Sequence, residues 1–276
     1  MSIYRSTDIT AALRVSERRA AMLSMAPDRA RSSLRRSARQ GRRGGGGGVA
    51  APFVPSLYGT VGFWLRGDTV ALNGSDVSSW TDKSGNGRHW AQATGALQPA
   101  SVVDTSRPAV SFSAVATKHL LGPDLATPAW AAAESFLVLR VAADPAASGA
   151  SSGLWRTSAA AAETSYPFTD GSIYDDFATT SRVTVGNPTP SLASPRIYQT
   201  ISASGEWTAL LDGTQIFTTA TNTVGWNATT YLGRSVSIYL DGVIWEWLVY
   251  AQKLTAPNRA AVTAYLKSRY AALGIV

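Results

Sequence analysis

The chain predicts an all-β antiparallel sandwich or jelly roll over residues 49–276, closed by a short C-terminal helix and preceded by an arginine-rich, partly helical arm at residues 1–48. Three observations lead there. From Ala51 onward, Ser, Thr, Gly, Asn and Asp punctuate short alternating runs, the pattern of many strands at close spacing. Asp212-Gly213 and Asp241-Gly242 each lie between a pair of such runs, and Asp-Gly is favoured in two-residue hairpin loops that need positive φ. The charge divides at a glycine run. Residues 1–48 hold eleven arginines and three acids, a net of +8, whereas the rest hold fourteen basic and fifteen acidic side chains, a net of −1.

In the arm, residues 7–25 can form a helix with Ile9, Leu13, Ala20 and Leu23 on a loosely apolar face and Asp8 near its positive end. Residues 29–43 are rich in Ser and Arg, and the glycine run 44–48 has the backbone entropy of a linker. Every basic residue of the arm is arginine, whose planar fork suits bidentate pairing with carboxylates or phosphates. Arg14, Arg18, Arg19, Arg31, Arg35, Arg36, Arg39, Arg42 and Arg43 are therefore the candidates for anchoring the arm on acidic partner surfaces. Such a peptide becomes ordered by docking on other subunits; a solubilising tail and a nucleic-acid tether are the alternatives. A nucleic-acid-binding body is disfavoured, because a near-neutral domain offers no counterpart to a phosphate backbone.

Along the body, residues 135–141 read as a buried strand, and residues 206–211 and 214–219 as a hairpin across Asp212-Gly213. Asp241-Gly242 separates 236–240 from 243–250. Strict alternation in that last run puts Ile244, Glu246, Leu248 and Tyr250 on one face and Val243, Trp245, Trp247 and Val249 on the other, so both faces are mostly apolar and the strand is expected to be central. The ending is helical: Thr255 can cap, Pro257 fits the first turn, Val262, Tyr265, Leu266 and Tyr270 recur at helical spacing, and Gly274 stops it.

Composition removes several function classes. With 45% hydrophobic and 16% charged residues, the chain can bury a core, which excludes global disorder. The absence of cysteine excludes a disulfide framework and thiolate metal sites, and His89 and His119 are too few for a histidine-rich centre. No apolar run is long enough to span a membrane, and the N-terminus lacks the apolar centre of a secretory signal. Neither a Gly-x-Ser-x-Gly elbow nor a Walker-type or dinucleotide-binding glycine pattern occurs in a suitable context.

Gly62-Phe63-Trp64-Leu65-Arg66-Gly67-Asp68, followed by Val77-Ser78-Ser79-Trp80-Thr81-Asp82-Lys83-Ser84-Gly85-Asn86-Gly87, resembles the opening of the laminin-G-like (LamG-like), concanavalin A-like jelly-roll domains of phage and bacterial surface proteins. Three later segments agree in order: Arg107-Pro108-Ala109-Val110-Ser111-Phe112; Trp207-Thr208-Ala209-Leu210-Leu211-Asp212-Gly213; and Tyr231-Leu232-Gly233-Arg234 with Gly242-Val243-Ile244-Trp245-Glu246-Trp247-Leu248-Val249-Tyr250 and the closing helix. The resemblance covers residues 61–270 and implies two packed antiparallel sheets, one concave, with loops at its rim. It implies binding of carbohydrate or a protein receptor, although the same sandwich also serves hydrolases and inert modules.

Hydrolysis by this fold calls for paired carboxylates on one face. Here Glu246 is flanked at alternate positions by Ile244 and Leu248, and no Glu-x-Asp-x-Glu occurs, so the chain is not expected to be an enzyme. The resemblance also raises a rim calcium ion at Asp76, Asp82 and Asn86; the residues themselves favour a turn in which Asp and Asn bond their own backbone, and no cofactor is expected. Trp64, Trp80, Trp245 and Trp247 sit in strand motifs and are expected in the core. Trp155, Tyr166, Tyr174 and Trp226 lie in Ser/Thr/Asp-rich stretches and are the candidates for stacking on a sugar, with Asp170, Asp175 and Asp176 accepting from its hydroxyls. The resulting expectation is a structural protein on the surface of a phage-like virion, a spike, fibre or adhesin. Its arm grips capsid or tail subunits, its body meets a host surface glycan or receptor, and it is a homo-oligomer. A capsid decoration protein that binds no sugar is the alternative.

Overall fold

The computed structural model describes residues 52–144, 152–160 and 162–275. The whole arm lies outside the described residues, including the expected helix at 7–25 and the candidate anchoring arginines from Arg14 to Arg43.

Sixteen strands occur among the described residues. They are β1 (Val61–Arg66), β2 (Val70–Asn73), β3 (Asp76–Trp80), β4 (Trp90–Ala91), β5 (Ala100–Asp104), β6 (Arg107–Phe112), β7 (Leu120–Leu121) and β8 (Ala132–Val141). The second half adds β9 (Trp155–Ser158), β10 (Ile173–Asp175), β11 (Val183–Gly186), β12 (Arg196–Ala203), β13 (Glu206–Leu211), β14 (Thr214–Thr219), β15 (Trp226–Leu232) and β16 (Gly242–Tyr250). One layer runs β14-β13-β12-β8-β16; β16 then pairs with β1 along its C-terminal half and with β6 at its start, and β5 lies beyond β6. A single pairing, Asp76 with Ala100, leads into the second layer, β3-β4-β7-β15-β9, with β2 on the other side of β3. All these pairings are antiparallel, and the result is the expected β-sandwich jelly roll with one C-terminal helix.

Alternation along the strands explains the two apolar clusters. Phe63, Leu65, Leu137, Leu139, Trp247 and Val249 point between the layers, where they meet Trp80, Trp90 and Trp155 of the second layer. Their neighbours Trp64, Phe136, Val138, Trp245, Leu248 and Tyr250 point outward onto helix α1 (Ala256–Arg269). This is why β16 is apolar on both faces. The four tryptophans expected in the core are there.

Strict alternation nevertheless misassigns the first half of β16. Its pairing with β8 slips between Ile244 and Glu246, a bulge that leaves Trp245 and the Glu246 carboxylate on the helix side in succession. Ile244 therefore shares the sandwich core with Trp247 and Val249, and Val243 and Trp245 join Leu248 and Tyr250 under the helix. The indole of Trp247 then stacks on that of Trp155, with centroids 5.2 Å apart.

The first Asp-Gly behaves as expected: Asp212 and Gly213 take φ of 52° and 87° and join β13 to β14. The second does not. Gly242 lies within β16, paired with Val141 and Phe112, and no strand occupies residues 236–240. A Cβ there would sit 2.4 Å from the Arg140 carbonyl oxygen, so glycine is needed for close backbone approach.

The helix starts as expected. The Thr255 hydroxyl accepts from the Asn258 amide, one of the donors left open at a helix N-terminus, and Pro257 sits in the first turn. A short 3-10 turn at Ala271–Leu273 follows, and Gly274, at φ of 80°, ends it. In the rim loop, Asp82 Oδ1 accepts from the Trp64 and Ser84 amides and Oδ2 from the Arg88 amide and the Ser84 hydroxyl. Asn86 donates to the carbonyls of Val61 and Gly62. The Asp82 contacts to Ser84 and Arg88 are those of the expected turn, whereas its contact to Trp64 and both contacts of Asn86 tie the loop to β1; Asp76 instead pairs with Lys118.

Candidate functional site

Most of the residues expected to touch a sugar are inside the sandwich. Trp155, Tyr166, Asp175 and Asp176 are at most 1% exposed, and Trp226 is 6% exposed. Local composition suggested loops, but these residues are folded against both layers. The Trp155 indole packs on Tyr166 and Phe177, and Trp226 packs on Phe177 and Trp130. A ligand arriving from solvent meets none of these five, so as contact residues they are replaced by the surface that covers them.

Asp175 and Asp176 hold that interior together through separate partners. Asp175 Oδ1 accepts from the Phe177 amide at 2.8 Å and the Trp155 indole at 3.2 Å, and Oδ2 accepts from the Tyr198 hydroxyl at 2.8 Å. Asp176 Oδ2 accepts from the Ser158 hydroxyl at 2.5 Å. Burial pushes both carboxyls above the usual range, Asp176 well above it, because the charged form loses its hydration. Burial also raises the hydroxyls of Tyr166 and Tyr198. The two histidines are structural as well: His89 Nδ1 accepts from the Asp82 amide, and burial lowers the His119 pKa where its ring lies between Tyr231 and Tyr239.

Residues 177–180 plug the mouth between the layers. The Phe177 carbonyl accepts from the Trp207 indole, and the Ala178 carbonyl accepts from the Ser202 hydroxyl and the Gly225 amide. The Thr180 amide donates to the Thr223 carbonyl. Ala178 is fully buried at φ of 53°, a left-handed conformation uncommon for a residue with a Cβ. The contacts to both layers hold it there.

From the plug the chain enters a surface groove of about 850 Å³, bounded by residues 179–184 on one side and by β14 and residues 221–223 on the other. Most of its lining residues carry a hydroxyl, Thr180, Ser181, Thr184, Thr219 and Thr221 among them, and the half-buried ring of Phe217 is its aromatic surface. Asn222 keeps one wall in shape, its amide donating to the Ser202 hydroxyl and to the carbonyls of Ala203 and Glu206. Arg182 stands at the side, its guanidinium 4.8 Å from the Tyr174 ring centre. Tyr174 in turn meets the exposed Phe168 edge to face at 5.5 Å.

Of the sequence candidates, Tyr174 and Asp170 thus reach the surface. Asp170 is exposed, but its Oδ1 accepts from the Ser172 amide in a tight turn. The groove residues Arg182, Phe217, Thr219 and Thr221 were missed because serine and threonine read as turn punctuation. The available signal was two threonine-rich segments, 179–184 and 217–223, that share one cation and no acid.

Comparison with known proteins bears on the fold. No family model matches the chain, and no curated protein matches it in sequence. Among solved structures it is similar to the binding domain of Paraclostridial Mosquitocidal Protein 1, with a TM-score of 0.55 at 11% identity, over 76% of this chain and 52% of that one. It is also similar to the binding domain of Botulinum neurotoxin DC, solved in complex with rat synaptotagmin II, with a TM-score of 0.55 at 8% identity, over 75% of this chain and 52% of that one. Trypanosoma rangeli sialidase matches with a TM-score of 0.52 at 12% identity, over 82% of this chain but 35% of the enzyme. The chain therefore spans about half of each toxin binding domain and about a third of the sialidase. What these likenesses establish is the fold alone, an antiparallel β-sandwich jelly roll.

Proposed function

We propose that the body is a binding module that takes a glycan, or the glycan of a receptor, in the hydroxyl-lined groove beside Phe217. The groove itself is the observation that carries this reading. Hydroxyls donate and accept, as sugar hydroxyls require, and the Phe217 ring can cover the apolar side of a pyranose. The similarity to binding domains of toxins is in keeping with it. Among the described residues the groove lining contains no acid, and the paired carboxylates of glycoside hydrolysis are therefore not part of this reading.

Glycan-array binding of the full chain tests this. Phe217→Ala is expected to weaken binding about tenfold, or about 1.4 kcal/mol, with Val115→Ala, on a fully exposed loop residue, as the unchanged control. Absence of binding across the array, or binding indifferent to Phe217→Ala, would overturn the reading.

The setting we propose is the surface of a phage-like particle, where repeated copies add weak contacts through effective concentration. The resemblance of residues 61–270 to laminin-G-like domains, read from the sequence, and the arginine-rich leader are what we base this on. Deleting residues 1–43 should leave a folded body that no longer joins the particle; normal incorporation would refute anchoring. If particles lacking the protein lose stability and no glycan binds, the chain is a decoration protein instead.

A further inference from the structure

We propose that the groove selects acidic glycans, with a single carboxylate or sulfate held by Arg182; this rests on the groove being the glycan site. Among the described residues, Arg182 is the one charged side chain lining the groove. The guanidinium is oriented on two sides, by the Tyr174 ring and by donation from Nη1 to the Glu163 carbonyl at 2.9 Å. Arg182, like Arg88, Arg107, Arg156 and Arg234, forms no ion pair among the described residues, and of these five it alone lines the groove. Asp176, whose charge would act on Arg182, is buried, and burial disfavours its charged form.

The consequence for specificity is physical. A neutral sugar seated in the groove offers the guanidinium only uncharged hydroxyl acceptors, whereas an oxyanion makes a charge-assisted, bidentate contact. One guanidinium among hydroxyls matches one negative charge. A phosphate monoester, carrying close to two charges, would leave some of its charge unmatched. The hydroxyls and Phe217 would then hold the ring while Arg182 reads the acid.

The test uses the full chain and short matched probes: methyl galacturonoside against methyl galactoside, and lactose monosulfate against lactose. The arginine leader attracts anions by itself, so each result is read as the difference between wild type and a variant carrying the same leader. Acidic probes should bind at least tenfold more tightly than their neutral partners. Arg182→Gln should abolish that preference, and Arg182→Lys should retain some of it. Phe217→Ala should weaken acidic and neutral probes alike. The carboxylate and sulfate arms show which oxyanion is taken. If Phe217→Ala weakens binding but acidic and neutral probes bind equally, or Arg182→Gln leaves the preference intact, the acidic selectivity is wrong and the groove stands. If neither variant changes the binding of any probe, both readings fall. Arg182 is exposed, so unchanged thermal unfolding of the glutamine variant confirms that a loss of binding is local.

Discussion

Glu134 and Glu246, beneath α1, are as deeply buried as Asp175 and Asp176 at the mouth of the sandwich, yet the two pairs meet different partners. Glu134 accepts from both Nε and Nη2 of Arg259, from the Leu254 amide and from Gln199. Glu246 accepts from Arg269, Tyr270, Tyr265 and the Trp64 indole. The aspartates have hydroxyl, indole and amide donors, and no ion pair among the described residues. Under the helix each buried acid meets a guanidinium; at the mouth neither aspartate does, and burial raises both carboxyls. A buried acid is therefore poor evidence of chemistry in this chain, because both pairs serve packing.

Arg259→Ala puts the greatest stress on this contrast. Removing the cation leaves Glu134 buried without its ion-pair partner, which typically costs about 3–5 kcal/mol; denaturant unfolding measures it. A loss below about 1 kcal/mol would mean that the ion pair is not what seats the helix. Asp175→Asn should cost less, about 1–3 kcal/mol, since an amide keeps one acceptor but turns a donor toward groups that already donate. Groove binding should fall only in proportion to unfolding.

The third expected effect is a pH slope. Asp176 has a folded pKa raised above the unfolded carboxylate value of about 3.9, so its stabilising contribution is complete below that pH and is lost as pH rises through the folded value. Wild type should therefore lose stability relative to Asp176→Asn as pH rises from about 4 toward neutrality. Glu246, also raised by burial, slopes the same way in both proteins and cancels in the difference. Parallel curves would show that the mouth carries a normal acid. The smallest effect is Thr255→Ala, about 1 kcal/mol from the lost helix cap, read as a modest fall in the thermal midpoint.

Local signals in the sequence were legible where local chemistry decides structure. The hairpin at Asp212-Gly213, the cap at Thr255, the turn at Asp82 and the stop at Gly274 all depend on residues within a few positions. The same dipeptide at Asp241-Gly242 misled, because there glycine answers to a carbonyl on a strand far away in sequence. The site failed for the same reason. Trp155, Tyr166 and Trp226 sit among polar neighbours, but whether an aromatic faces solvent is set by which distant strands close over it. The groove draws on three separate stretches, at 179–184, 204–205 and 217–223, and nothing in any one of them announces the others.

The slipped pairing in β16 carries a consequence for how this chain can vary. Side chains in a strand alternate with a period of two, so losing the extra residue would not merely shorten the strand but turn one half of it over. Trp247 would leave its stack with Trp155 for the helix side, or Ile244 would be traded the other way. Exposed surface loops in general tolerate gained or lost residues, whereas the final strand behaves like a reading frame, in which one deletion scrambles everything on one side of it.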